Sequence, residues 1–252
     1  MSRAVDSSPS PALTVMRREL SGYFSTPVAW VFIVIFLVMS GTFTFQIGSF
    51  YERGIADLGP FFQFHPWLYL FLVPAIAMRL WAEERRSGTI ELLLTLPLTT
   101  GQAVLGKFLA AWLFIGLALA LTFPVWLTVN YLGEPDNGII AAGYIGSWLM
   151  AGGFLAIGSC MSALTRNQVV AFILSVVVCF GFMLSGLPLV MNLFSGWAPQ
   201  ALLDAIADFS FLAHFASISK GVIDLRDLVY FGLVITFWLL ANAIVLEMKK
   251  AD

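Results

Sequence analysis

The side chains able to do acid–base, ligating or ionic chemistry are few in this chain, and their densest group occupies one stretch. Glu83, Glu84, Arg85 and Arg86 stand together, followed by Gly88, Thr89 and Glu91. On a helix, Glu83 and Arg86 are spaced for an i,i+3 ion pair. Gly88 is placed to break that helix, and Thr89 to cap a second, short one over residues 90–96. Glu91 then falls in its first turn, where the helix dipole favours a carboxylate. Leu92, Leu93 and Leu94 give this helix an apolar face, and Pro97 closes it. The remaining candidates are scattered. His65 and His214 stand alone and read as interfacial residues; Cys160 and Cys179 lie in apolar stretches at different depths and read as packing residues without a disulfide. The sequence holds no clustered metal ligands and no activated nucleophile, so catalytic residues, metal and resident cofactor are all expected to be absent. It also lacks a Gly-x-x-x-x-Gly-Lys-Ser/Thr phosphate loop, which excludes ATP hydrolysis by this chain alone.

The elements that must position that stretch are set by composition. Of 252 residues, 60% are hydrophobic and only 11% charged, and the mean hydropathy is +0.90. A water-facing domain carries roughly a quarter charged residues, so lipid must solvate much of this surface. Six stretches reach the ~20 apolar residues that a helical span needs. They run over residues 28–50, 61–80, 107–131, 141–164, 169–190 and 228–246. The runs are continuous instead of alternating in ten-residue pieces, which excludes a barrel of strands. The expected fold is therefore an all-α membrane protein. Residues 12–252 form one domain after a polar, Ser/Pro-rich segment, 1–11, that is expected to be disordered and is not a signal peptide.

Orientation follows from Lys and Arg. With the N-terminus inside, ten of the 13 basic residues fall on the cytoplasmic side, and only Arg53, Lys220 and Arg226 fall outside. Both termini are then cytoplasmic. Ahead of the first span, Leu13, Met16, Leu20 and Phe24 share one helical face with Arg17, Arg18 and Glu19 turned away, the pattern of an amphipathic helix in the headgroup layer. Thr26 and Pro27 read as the cap and first residue of span one, and Thr99 with Gln102 as a capping box opening span three. Between spans five and six, Leu202, Ile206, Phe209 and Leu212 recur at helical spacing with Asp204 and Asp208, predicting an outer re-entrant or interfacial helix. The spans carry no ionisable group away from their ends, which excludes an ion-driven carrier. Their polar residues, among them Thr122, Thr128, Asn130, Asn192 and Asn242, read as interhelical hydrogen-bonding groups. Thr42, Thr44 and Gln46, in the outer half of span one, are the candidates to line a translocation route.

The stretch AMRLWAEERRSGTIELLLTLPLTTGQAVLGKF, residues 77–108, resembles the loop shared by permease subunits of ABC-2-type transporters. The resemblance is strongest to the gliding-motility-type branch, through the RREL helix at residues 17–20, the Ser-Thr-Pro step at 25–27 and the PWLYLFLVPA span at 66–75. It implies a membrane domain of six spans, an N-terminal interfacial helix, a cytoplasmic coupling helix between spans two and three, and an outer helical segment. It also implies a separate ABC ATPase subunit, supplying ATP and Mg, that grasps Gly88, Thr89, Glu91, Leu92 and Leu93. Glu83, Glu84, Arg85 and Arg86 would flank that contact, and the interfacial helix with Arg17, Arg18 and Glu19 would also touch the ATPase. The implied setting is a bacterial cytoplasmic (inner) membrane, with a second permease copy as homodimer or heterodimer partner and no nucleic acid.

Two functions fit this reading. One is the permease of an ATP-driven exporter; the other is a mechanotransmitting or scaffold subunit that binds the ATPase but passes force to an outer partner protein. A lipid-modifying enzyme fits less well, because its acids or histidines would cluster at an interface and these do not.

Overall fold

The computed structural model describes residues 10–89, 98–187, 190–192 and 199–249, and its elements are helices throughout. Helix α1 (Pro11–Phe24) precedes α2 (Pro27–Thr42), which ends in a π-helical turn, Phe43–Ile47. Next come α3 (Gly59–Ala77), α4 (Arg79–Ser87), α5 (Thr100–Ala120) and α6 (Phe123–Leu132). The chain continues through α7 (Asn137–Leu164), α8 (Gln168–Leu184), α9 (Gln200–Asp208), α10 (Phe211–Ile218) and α11 (Leu225–Met248).

Among the described residues, five stretches are helical, long and apolar enough to cross a membrane: Pro27–Ile47, Gly59–Ser87, Thr100–Leu132, Asn137–Leu164 and Leu225–Met248. The expected fifth span, 169–190, corresponds to α8, an apolar helix of only 17 residues. Expected breaks appear where local chemistry dictates them. Gly88 ends α4 with φ +74°, a left-handed conformation that glycine adopts without a Cβ clash. The Thr99–Gln102 capping box forms in both directions, at 3.3 and 3.0 Å. Its helix opens at Thr100, a full two turns before the expected start of span three at Lys107. Pro27 begins α2 as expected, but the Thr26 hydroxyl does not cap it; it donates to the Tyr23 carbonyl at 3.0 Å.

The longest helix, α7, is the core of the bundle, and α3, α5, α8, α10 and α11 all pack on it. Its Trp148 stacks on Trp112 of α5 with ring centroids 4.2 Å apart. Each indole N–H donates to the other tryptophan's carbonyl, at 2.9 and 3.2 Å. Interhelical bonds also form at Asn242, which donates to Ser159, at Thr122, paired with Tyr144, and at Asn130, paired with Asn137. Thr44 and Thr128 depart from the expectation: each hydroxyl donates to a carbonyl four residues back in its own chain segment. Both cysteines are free and buried.

Where one outer helix was expected over residues 202–212, the described residues form two, α9 and α10. Ser210 caps α10 by accepting from the Ala213 N–H, and the chain turns at Phe209. The buried face of α10 is Phe211, His214, Phe215 and Ile218. Of the expected stripe, Phe209 is exposed and Ile206 and Leu212 are half-buried; the side chains of Leu202 and Asp204 lie outside the described residues.

The histidines are not solitary loop residues either. His65 is fully buried within α3, where its Nδ1 lies 2.6 Å from the Ser147 hydroxyl that Tyr69 also reaches at 2.9 Å. His214 is buried too: Nδ1 lies 2.6 Å from Asp227 and Nε2 2.9 Å from the Asp208 carbonyl, with the ring stacked 3.8 Å from Tyr230. Neither arrangement was visible in spacing, because the partners lie on other elements.

Candidate functional site

The charged stretch folds into a node at the end of the bundle. Helix α4 begins immediately after α3, so its first N–H groups have no residue of their own turn to bond. Ser162 of α7 supplies the partner. Its hydroxyl oxygen accepts from Trp81 N–H at 3.1 Å and Ala82 N–H at 3.0 Å, and its proton goes to the Met78 carbonyl at 2.9 Å. One turn back on α7, the Ser159 hydroxyl accepts from the Trp81 indole at 3.2 Å and from Asn242 of α11 at 2.7 Å. At the far end of α7, the Ala163 carbonyl accepts from the Arg85 guanidinium at 2.6 Å, and the Leu164 carbonyl accepts from the Lys249 ammonium. Cations at that position complement the negative end of the helix dipole.

The other side of α4 faces α1 and α5. Lys107, counted above among the cytoplasmic charges, is only 3% exposed. Its ammonium lies 2.6 Å from Glu84 and 3.3 Å from Glu19, and 5.4 Å from the centre of the Trp81 ring. Glu19 therefore points into the protein and not away from the apolar face of α1, as the helical pattern suggested. Burial works against its charge, but Lys107 and Arg18, the latter at 2.8 Å, outweigh burial and hold its carboxyl below the ordinary value of 4.5. Close approach of α1 to α5 requires Gly106: a Cβ there would meet the Ala12 carbonyl and the Val15 side chain at 2.8 Å. Glu83 pairs with Arg79 at 2.9 Å (i,i+4), not with Arg86. Arg17, Arg86, Gly88 and Thr89 are exposed, with Thr89 2.9 Å from the Ser87 hydroxyl. Glu91, Leu92 and Leu93, with the rest of the expected coupling helix, lie outside the described residues.

The structure thus brings Glu84 and Glu19 together on Lys107, which pattern reading had placed at a span end, and sets Arg85 on α7. The candidate pathway residues do not converge. Thr44 is buried against the core, while Thr42 and Gln46 face outward. Among the described residues, no group of His, Cys, Asp or Glu is arranged to hold a metal ion.

The node ties α4 to α7 through Ser162, Ser159 and Arg85, and to α5 and α1 through Lys107. The family model described as "ABC-2 family transporter protein" matches residues 13–223. The chain belongs to this family. It is a multi-pass membrane protein and a permease subunit of an ABC transport system, and such permeases are typically non-enzymatic and work with an ABC ATPase. No curated protein matches the chain. The matched region runs from α1 almost to α11 and takes in every residue of the node except Asn242 and Lys249.

Proposed function

We propose that this permease is the six-span membrane half of an ATP-driven exporter in a bacterial cytoplasmic membrane, of the gliding-motility-type branch. Span five is α8, and both termini are cytoplasmic. A separate ATPase docks on the segment from Glu83 through residue 96 and touches α1 at Arg17 and Arg18. Two permease copies pair to enclose the route. The observation that carries this reading is the clasp on α4. The helix leading into the docking segment is bonded to α7 through Ser162, Ser159 and Arg85, and to α5 and α1 through Lys107. A push on that segment therefore moves helices of the bundle together. The outward positions of Thr42 and Gln46 suit a route between copies more than one through a single copy.

Two measurements test the reading. Replacing Glu91 and Leu93 by Lys should abolish co-purification of the ATPase while leaving the permease folded; unchanged assembly would refute the docking surface. In reconstituted vesicles with the ATPase, nucleotide-dependent flux supports export. ATP turnover without flux of any candidate cargo would instead assign the complex to force transmission toward an outer partner.

A further inference from the structure

At the end of the bundle away from the node, buried His214 of α10 has an acceptor on each ring nitrogen. Nδ1 lies 2.6 Å from Asp227 of α11, and Nε2 lies 2.9 Å from the backbone carbonyl of Asp208, the last residue of α9. A carbonyl only accepts, and so does an ionised carboxylate. A neutral imidazole has one N–H and one lone pair, so it satisfies one of these partners and turns its lone pair on the other. Both contacts hold together only when the His214–Asp227 pair carries one further proton. That proton lies between Nδ1 and Asp227 Oδ1, while Nε2–H donates to Asp208.

The other groups around the ring are engaged with different partners. Tyr230 of α11 stacks on it, but its hydroxyl donates to the Phe209 carbonyl. Arg226 pairs with the Asp208 carboxylate, and Asp224 caps α11 by accepting from the Arg226 N–H. Helices α7 and α8, which also pack on α10, carry no acidic or basic side chain. Their Tyr144 and Cys179 bond Thr122 and the Phe154 carbonyl. Asp227 Oδ2 is buried without a partner among the described residues, so His214 is the group that meets the Asp227 charge. We propose that the pair is a proton-dependent latch between α9 and α11. With the proton, His214 bridges the two helices. Without it, the remaining N–H stays on Asp227, the stronger charge-assisted partner, and the Nε2 lone pair faces the Asp208 carbonyl and lets the end of α9 go. Histidine is the side chain that exchanges its proton near neutral pH, so the latch is closed in mild acid and opens as pH rises.

The test uses the full-length permease in detergent. Nitrogen-15 shifts of the His214 ring, assigned by their loss in His214→Phe, should show two protonated nitrogens at about pH 5.5 and one at about pH 9. Over that range, exchange protection of the Phe209, Ser210 and Ala213 amides, corrected for the intrinsic pH dependence of exchange, should fall about tenfold, the worth of one charge-assisted hydrogen bond. Protection in α4 should stay level. Asp227→Asn is the sharper variant: its amide N–H donates to Nδ1 while Nε2–H donates to Asp208, so both contacts survive around a neutral ring. Protection there should be high and independent of pH. The ring signals decide the matter in the native protein even if that variant does not fold. A single N–H at every pH, two N–H persisting throughout, or protection in Asp227→Asn that still falls with pH would overturn the latch.

Discussion

The two ends of the bundle solve the burial of polar groups in opposite ways. At the α4 node, partners are far apart in sequence: Trp81 with Ser162, Arg85 with Ala163, Asn242 with Ser159, Lys249 with Leu164. At the outer end they are near. His214 bonds Asp227 and Asp208, Arg226 reaches Asp208 at 2.5 Å, and the Tyr230 hydroxyl donates to the Phe209 carbonyl at 2.6 Å. Long-range bonds fix helices relative to one another, whereas short-range ones fix a segment to itself and to the start of α11. The node therefore ties helices of the bundle to one another, and α9 and α10 form a self-bracing cap at the other end.

Lys107→Met breaks this contrast hardest. It leaves Glu84 and Glu19 facing each other with no cation between them, and should cost about 3 kcal/mol of stability, the usual scale for removing one partner of a buried pair. Adding Glu84→Leu should restore part of it, because an apolar pair needs no counter-charge. Unfolding in detergent measures both, and a double variant no better than the single one would contradict the pairing geometry. Ser162→Ala comes next. It strips the partner from two N–H groups and one carbonyl, at a cost of about 2 kcal/mol. It should also lower ATPase stimulation by the permease more than it lowers ATPase binding, since α4 stays in place but loses its grip on α7.

What was legible in the sequence was what neighbouring residues decide. Gly88 and the Thr99–Gln102 box stop and start helices through contacts within one turn, and both were read correctly. The apolar runs predicted helices on sound grounds, because continuous hydrophobicity allows nothing else in lipid. The site was only half legible. Glu83 had basic neighbours in both directions, and the break at Met78, which places Arg79 in the first turn of α4, decided for Arg79. Lys107 sits where a span could simply begin, and its partner Glu19 belongs to a helix far back in the chain. His65 and His214 likewise bond residues on other elements. The turn at Phe209 did carry a local signal, the serine that follows it, which the longer hydrophobic stripe obscured.

Acid should weaken the node gradually through Glu19. A carboxyl whose folded pKa lies below its unfolded value of 4.5 adds stability above that value, and the contribution is lost as pH falls through the folded pKa. Unfolding midpoints should therefore drop below about pH 4.5 in the native protein, and Glu19→Gln should flatten that part of the curve while lowering stability at neutral pH.

The smallest effect belongs to the outer end. Asp208→Asn removes the shortest ion pair of the outer cap, yet Arg226 and Asp208 are 64% and 59% exposed. Water and salt already solvate both charges, so the substitution should shift stability by under about 0.5 kcal/mol. The Asp208 carbonyl, which accepts from His214, is unaffected because it belongs to the backbone. ATPase stimulation should be unchanged as well. A loss in Asp208→Asn comparable to that of Ser162→Ala would mean that the outer cap is tied to the moving helices as firmly as α4 is. The short-range bracing of α9 and α10 would then be a misleading guide to where force travels in this permease.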